Sequence, residues 1–540
     1  MDVLSTINTR RTAQSDKADP RQVKNTAGGY TFTVDDKARL HRFLTLGTDG
    51  GTYYASAKDM TRDNAEVVFR AAANDPVELV RHVVEVSAAG RAPKNNPALF
   101  ALAIAAASDD DAGRAAALAA LPQVARTGTH LFLFAGYVEQ FRGWGRGLRK
   151  AVGSWYSDKP ADKLAYQALK YRQRDGWTHR DLLRLSHPVA DTSTKGALFD
   201  YICRGLPDER PEWASELPPI VHGFETVQHA GTADEVLIAL SDYPMLTWEM
   251  LPDHALTNAD VWRALIANGM PQTALMRQLP RLTRLGVLQG DVGRTVAAQL
   301  QDAEQLKRGR VHPVNVLVAQ RTYASGVSSR GESTWHPVSM VTDALDAAFY
   351  NAYGAIEPAN KRTLLALDIS GSMSAAVSGL PLSCREAAAA LAMVTAATEP
   401  DHRIVGFTGT NDGWRVTGTS LTELDISPRR RLDDVCRYTS QLPMGRTDCG
   451  LPMVWAMQNN VEVDTFHIYT DNETWVGPVH PHQALREYRE KMGIDARLVV
   501  VAMIATNFTI ADPTDPGQLD VSGFDSVVPN LLADFSRGDL

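Results

Sequence analysis

The sequence predicts two domains of different class: an all-α array of stacked helix pairs, then an α/β domain built on a parallel sheet. Three observations predict it. At 540 residues the chain exceeds what one hydrophobic core organises. From about residue 32 to 350 it reads as Ala- and Leu-rich stretches of helical length broken by Pro, Gly and Asn. Beyond Pro358, short runs rich in Val, Ile and aromatics alternate with helical patterns, the grammar of a parallel sheet covered on both faces.

Residues 1–28 form a polar arm. Among the helices that follow, Asp75 can cap and Pro76 takes the first helical position, while Val77, Val80, Val83 and Val84 repeat at helical spacing. Such faces need neighbours, and three hundred residues of them imply an irregular solenoid of helix pairs. The boundary falls near 355–362, dividing the chain into residues 1–360 and 361–540. In the second part, residues 363–367 (TLLAL), 402–407 (HRIVGF), 465–470 (TFHIYT) and 496–503 (ARLVVVAM) read as buried strands, with a helix over 385–398.

Composition excludes several classes. The longest apolar run, residues 98–107, is half of the roughly 20 residues a membrane span needs, and the polar N-terminus lacks a signal-peptide core. A cytoplasmic protein is expected. Cys203, Cys384, Cys436 and Cys449 form no CxxC pair, which suits reduced thiols. The net charge of −8 argues against a nucleic-acid partner until its distribution is examined. All of the net acidity lies in residues 361–540. Residues 142–187 hold eleven basic residues against four acidic ones, a local balance of +7.

The first predicted strand runs into Asp368-Ile369-Ser370-Gly371-Ser372 at the carboxyl edge of the sheet, where ligands bind in open parallel sheets. One carboxylate and two hydroxyls are hard oxygen donors suited to Mg²⁺. Thr447, in the loop 445–448, adds a hydroxyl, and Asp471, ending the strand 465–470, adds a second carboxylate. Alone, D-x-S-x-S is equally a plain Asx or Ser turn. With Thr447 and Asp471 in this order it resembles the metal-ion-dependent adhesion site of the von Willebrand factor type A domain. That resemblance implies an ion with one position left for an acidic residue of a partner protein; a degenerate site without metal is the alternative. Enzymatic readings fit less well, since two-metal chemistry needs more carboxylates and HExxH is absent. His480 and His482 sit on a Pro-flanked stretch and are expected to face solvent.

In the basic segment, Lys163, Gln167, Lys170 and Arg174 step along one face of a helix expected to end at Gly176. Thr178 can cap the next helix with Asp181 three residues on; Arg180, Arg184 and His187 follow on its polar face until Pro188. Tyr171, Trp177 and His179 at the junction are candidate stacking groups, so the pair carries features that RNA recognition uses. A solvated surface stripe is the plainer reading, and Arg149, Lys159 and Arg172 suit that reading too.

Seven stretches together resemble the Ro ribonucleoprotein family, which joins a TROVE module to a von Willebrand A domain. They are RFLTLGTDGGTYY (residues 42–54), THLFLF (129–134), KYRQRDGWTHRDLLRLSH (170–187), ALDAAFY (344–350), the LDISGSM turn, TDCGLPMVWA (447–456) and YTDNETWVGPVHPHQALREYREKM (469–492). The resemblance implies a ring of HEAT-like helix pairs and a Rossmann-like second domain. It implies a non-catalytic RNA-binding protein: single-stranded 3′ ends of misfolded RNA pass through the ring, and Y RNA binds its basic outer surface. Lys170, Arg174 and His187 match the family's RNA-contacting positions, and Arg172, Arg180 and Arg184 extend the footprint. An exoribonuclease partner is implied for a bacterial relative. Residues 1–28 and the stretch after Asp191 match no family motif. Metal-dependent protein docking on a helical scaffold is the competing function.

Overall fold

The computed structural model describes residues 11–47, 65–206, 215–328, 332–354, 356–376, 382–411, 416–442, 447–504, 506–523 and 526–539. Residues 48–54 of the first family-like stretch, and Gly445 and Arg446 before Thr447, lie outside them.

The helical body runs from Asp36–Leu46 to Ser339–Asn351. Helix Pro76–Ala89 begins as its letters require, the Asp75 carboxylate accepting from the Glu78 N–H. Its apolar face is rotated from the expected one: Leu79, Val80, Val83 and Val86 are buried, whereas Val77 is 46% exposed. Asn96–Ala106 is apolar all round because Pro97 through Ala106 are all buried, with neighbours on every side. Helices pack on the next in sequence and also on the next but one: Pro76–Ala89 on Asp111–Val124, Asn96–Ala106 on Gly128–Glu139, and Asp111–Val124 on Arg146–Ser157. That pattern makes a stack of helix pairs.

The stack closes on itself. The Arg310 guanidinium donates to the Ser87 carbonyl (3.4 Å), and the Asn315 amide donates to the Pro93 carbonyl (3.3 Å). Residues near 310 therefore meet residues near 90, and the helices form a ring.

The second domain holds a six-stranded sheet in the order Gln518–Ser522, Arg497–Ala502, Thr465–Thr470, Thr363–Asp368, His402–Asn411, Val416–Glu423. Five strands are parallel; the last pairs antiparallel with its neighbour. The sheet is therefore mixed, not purely parallel as the alternation suggests. Thr465–Thr470 and Thr363–Asp368 are buried throughout, as strands covered on both faces must be.

Residues 11–33 join this second domain. Gln22–Lys24 and Tyr30–Thr33 pair with each other and with Phe508–Thr509 in a small antiparallel sheet. The arm covers His480, whose ring bonds to Gln22 (3.1 Å) and to the Asp16 carbonyl (2.8 Å), and His482, which meets Phe32 edge-on at 5.1 Å. His480 is fully buried and His482 largely so, correcting the expectation that they face solvent.

Both ends of the ring dock on the α/β domain. From the first helix, buried Arg42 reaches Asp520 (2.6 Å) and the carbonyls of Thr506 and Phe508. From the last helices, Arg321 pairs with Glu386, Asp343 with Arg431, and the Asp346 carboxylate accepts from the Leu432 N–H (2.9 Å). No helix among the described residues is long and apolar enough to cross a membrane.

Candidate nucleic-acid interface and metal centre

Helix Ala161–Lys170 ends four residues before Arg174. Gln173–Arg174 instead pairs with Trp177–Thr178 in a two-residue hairpin, turning at Asp175 (φ +48°) and Gly176 (φ +86°). Asp-Gly supplies the two left-handed positions that such a turn requires. This is the physical reason the predicted helix stops early, and it places Arg174 on a hairpin. Helix His179–Ser186 then starts with the capping box foreseen in Thr178 and Asp181, and His187 ends it at φ +47°.

The candidate RNA residues divide into four groups. Arg172, Arg180, Arg184, Arg174 and His187 are exposed. Arg172 lies over the Phe224 ring at 5.3 Å and close enough to Tyr201 to act on its hydroxyl, while Arg180, Arg184 and Arg204 act on the Cys203 thiol. These arginines thus gather at the end of helix Ser193–Arg204. Arg174 leans the other way, toward Asp175 (3.3 Å) and Tyr137. Lys170 is withdrawn: its side chain is only 8% exposed, its ammonium donates to the Tyr166 hydroxyl (2.9 Å), and Glu249 lies 3.6 Å away. Tyr171 and Trp177 are half-buried.

His179 is a core residue. It is 2% exposed, packed among Phe132, Trp155 and Tyr156, with its Nδ1 bonded to the Tyr156 hydroxyl (2.9 Å). Burial holds its pKa down at about 4. A stacking role for His179 is therefore replaced by an interior one, because the first helical turn points its ring inward.

Sequence reasoning missed Arg277, Arg281 and Arg284, which recur at helical spacing on Gln272–Arg284. Arg277 is exposed and its charge acts on Tyr171. Arg281 and Arg284 line a cavity of about 480 Å³ with Leu256, Thr257 and Asp253. The signal was present as an i, i+4, i+7 stripe.

Many arginines of the protein are paired, for example Arg70 with Asp36, Arg263 with Asp260, Arg294 with Asp291 and Arg403 with Glu423; among the described residues Arg146, Arg149, Arg308, Arg310 and Arg429 are exposed without an ion pair. Among the described residues, no carboxylate lies within 4 Å of Arg172, Arg180, Arg184, Arg277, Arg281 or Arg284. Cations left unpaired on an anionic protein are available to an external anion.

In the second domain, Asp368 is fully buried, its oxygens accepting from the Ser370 N–H (2.9 Å) and the Thr470 hydroxyl (2.7 Å). Ser370 and Ser372 hydroxyls stand 3.0 Å apart, and Ser372 also bonds to Asp471. One Asp471 oxygen accepts from the Glu473 N–H (3.0 Å); the other is buried without a partner. Thr447 is buried on the adjoining loop, its carbonyl bonded to the Trp475 N–H (3.3 Å). Burial raises the pKa of both aspartates, and the Asp471 charge raises that of Asp368 further. Two repelling carboxylates, facing hydroxyls and one orphaned oxygen fit a hard cation. Among the described residues no group of three His, Cys, Asp or Glu is placed to hold a metal ion, so a cation here would rest on two carboxylates and hydroxyl oxygens.

Comparison with known proteins agrees with this division. The TROVE domain model matches residues 23–215 and 244–322, and the Ro60 vWA domain model matches residues 362–536. The chain is 42% identical over 545 residues to RNA-binding protein RO60 of Deinococcus radiodurans, covering 100% of this chain and 99% of that one. It is 36% identical over 601 residues to RNA-binding protein RO60 of Caenorhabditis elegans, covering 98% and 92%. The crystal structure of the Deinococcus radiodurans RO (RSR) protein superposes with a TM-score of 0.70 at 40% identity, covering 94% of this chain and 100% of that one. With a closed helical ring, an α/β domain carrying the D-x-S-x-S turn, and relatives matching along nearly their whole length, the chain belongs to the Ro60 family of TROVE and von Willebrand A domain proteins.

Proposed function

We propose that this chain is the RNA-binding protein of a Ro-type ribonucleoprotein, acting in RNA quality control without catalysing a reaction itself. The observation that carries the reading is a set of arginines with no carboxylate within 4 Å among the described residues, exposed at positions 172, 180, 184, 277 and 284 and half-buried at 281, in and beside the basic segment. Arg174 and His187 add to this footprint on a structured RNA such as Y RNA, with Tyr171 beside them. Lys170 contributes from below, through the ring of Tyr171 at 5.7 Å. The ring offers a path for single-stranded 3′ ends of misfolded RNA, and an exoribonuclease tethered by the bound RNA would act on them.

RNA purified with the full-length protein from its native cells and sequenced tests this. Enrichment of small structured noncoding RNA is expected; recovery of RNA no different from a mock purification refutes the reading.

A second activity fits beside the first. The orphaned Asp471 oxygen favours a cation, Mg²⁺ by its donors, held by Asp368, Ser370, Ser372, Thr447 and Asp471. Such an ion supplies a binding position for an acidic side chain of a partner protein. A partner captured in Mg²⁺, released by chelator and indifferent to nuclease supports this; capture unchanged by Asp368→Ala refutes it.

A further inference from the structure

We propose that the seam where the ring closes is a binding site for a phosphate group, held between Arg126 and Arg310. The two arginines are far apart in the chain. Arg126 precedes helix Gly128–Glu139, and Arg310 follows helix Ala303–Arg308, yet both guanidiniums donate to one carbonyl oxygen, that of Ser87, at 3.2 and 3.4 Å. Arg126 also donates to the Ser87 hydroxyl at 2.8 Å. Two cations converge there, and among the described residues no carboxylate lies within 4 Å of either. Partial burial, with the Arg310 charge added to it, works against the Arg126 charge.

The cavity beside them measures about 270 Å³, and no acidic residue lines it. Three helices of eleven or more residues present their N-terminal ends to it through the capping residues Asn95, Thr127 and His312. Helix N-termini carry partial positive charge and N–H groups suited to an anion. His130, in the first turn of its helix, lines the cavity with its Nδ1 buried and unpartnered.

Arg310 itself sits at φ +48°, a left-handed conformation that disfavours a branched-chain or long residue and suits glycine. The chain accepts that strain and keeps an arginine. A tetrahedral oxyanion takes paired N–H bonds from guanidinium groups, so a phosphate bridging the two arginines would turn a repulsive seam into an attractive one. The same chemistry comes from an RNA backbone phosphate or from free phosphate. Arg126 also lines a larger cavity of about 570 Å³ with Lys159 and Lys163, so a strand lying there could reach the seam.

The test uses the full-length protein in chloride buffer of fixed ionic strength. Inorganic phosphate is titrated calorimetrically, and the melting temperature is followed, for the unmodified protein, Arg126→Gln, Arg310→Gln and Arg310→Gly. Saturable phosphate binding that raises the melting temperature, and that weakens at least tenfold in each variant, is expected. Arg310→Gly is the informative one: both Arg310 variants give up the bond to the Ser87 carbonyl, but only the glycine relieves the backbone strain, so without phosphate it should melt above Arg310→Gln, yet like it gain nothing from phosphate. A short single-stranded oligoribonucleotide that competes with phosphate identifies the RNA backbone as the source; phosphate binding that this RNA leaves unchanged identifies the free anion. Phosphate that stabilises all four proteins equally, or none of them, overturns the proposal.

Discussion

Replacing Arg172, Arg180 and Arg184 together by Gln should remove half of the unpaired guanidiniums on the proposed RNA surface while leaving the fold intact. All three are exposed, and among the described residues none forms an ion pair. Each phosphate neutralised by a protein cation releases condensed counterion, giving a log–log salt slope of roughly −0.7 per contact on single strands and −0.9 on B-form DNA. The triple variant should therefore flatten the slope by about 2 to 3. At 0.1 M salt this is a loss of roughly 100- to 500-fold in affinity, or about 3 kcal/mol. Fluorescence anisotropy of a labelled structured RNA between 50 and 200 mM KCl reads both numbers. The control is Arg294→Gln, which also removes one positive charge, from an arginine already paired with Asp291. If the triple variant keeps the parental slope, or if Arg294→Gln flattens it by as much per charge, then local pairing does not select the RNA surface and the reasoning fails.

Three further outcomes follow from the second domain. Asp471→Asn removes one of two repelling buried carboxylates, so in chelator it should raise stability by about 1 kcal/mol, whereas added Mg²⁺ should stabilise only the parent; thermal melts with and without the ion decide this. Gln14→Ala deletes the amide that donates to Asp448 (2.7 Å) and to the Val479 carbonyl (2.8 Å), leaving a buried acceptor unpaired. It should cost about 1–3 kcal/mol and expose residues 11–33 to limited proteolysis; an arm still resistant would contradict the docking described. Burial holds the His482 pKa at about 4, against 6.5 when unfolded. Below pH 6.5 the unfolded chain therefore takes up a proton that the folded one refuses, and stability falls with acid. The penalty reaches about 2 kcal/mol at pH 5. His482→Gln should lessen the loss of melting temperature between pH 7 and 5, and an identical pH dependence would refute the assignment.

What could be read from the letters was local or strongly buried. Strand Thr465–Thr470 and the cap at Thr178 match their sequence signals residue for residue. A strand covered on both faces favours β-branched and aromatic residues, which Thr465–Thr470 carries even at its buried polar positions Thr465, His467 and Thr470, and a capping box needs only four residues. The edge strands Val416–Glu423 and Gln518–Ser522 carry mixed polar sequences and gave no such signal. The arm stayed silent for another reason. Its partners lie more than four hundred residues away, as in Arg11 with Glu487 and Gln14 with Asp448. No periodicity records such a contact.

The candidate sites show the same division. The proposed cation donors were readable as a cluster because D-x-S-x-S is one turn, and the fold had only to bring Asp471 from the adjacent parallel strand. The basic surface was readable as composition but not as availability. Lys170 is the residue the resemblance puts forward for RNA contact, yet it is bonded to Tyr166 and faces Glu249, whereas Arg277, from a helix a hundred residues later, comes close enough to act on Tyr171. Which cations can meet a phosphate is decided by where the ring places the carboxylates. The α/β domain also grips the first helix through Arg42 and the last through Asp346, beside the closing contacts within the helical body. A change at the Arg42–Asp520 pair should therefore reach the RNA surface and the Arg126–Arg310 seam together, although it touches neither. Weakened salt-dependent RNA binding in Arg42→Met, with the isolated α/β contacts of residues 11–33 still protected, would show that the second domain holds the ring in its binding shape.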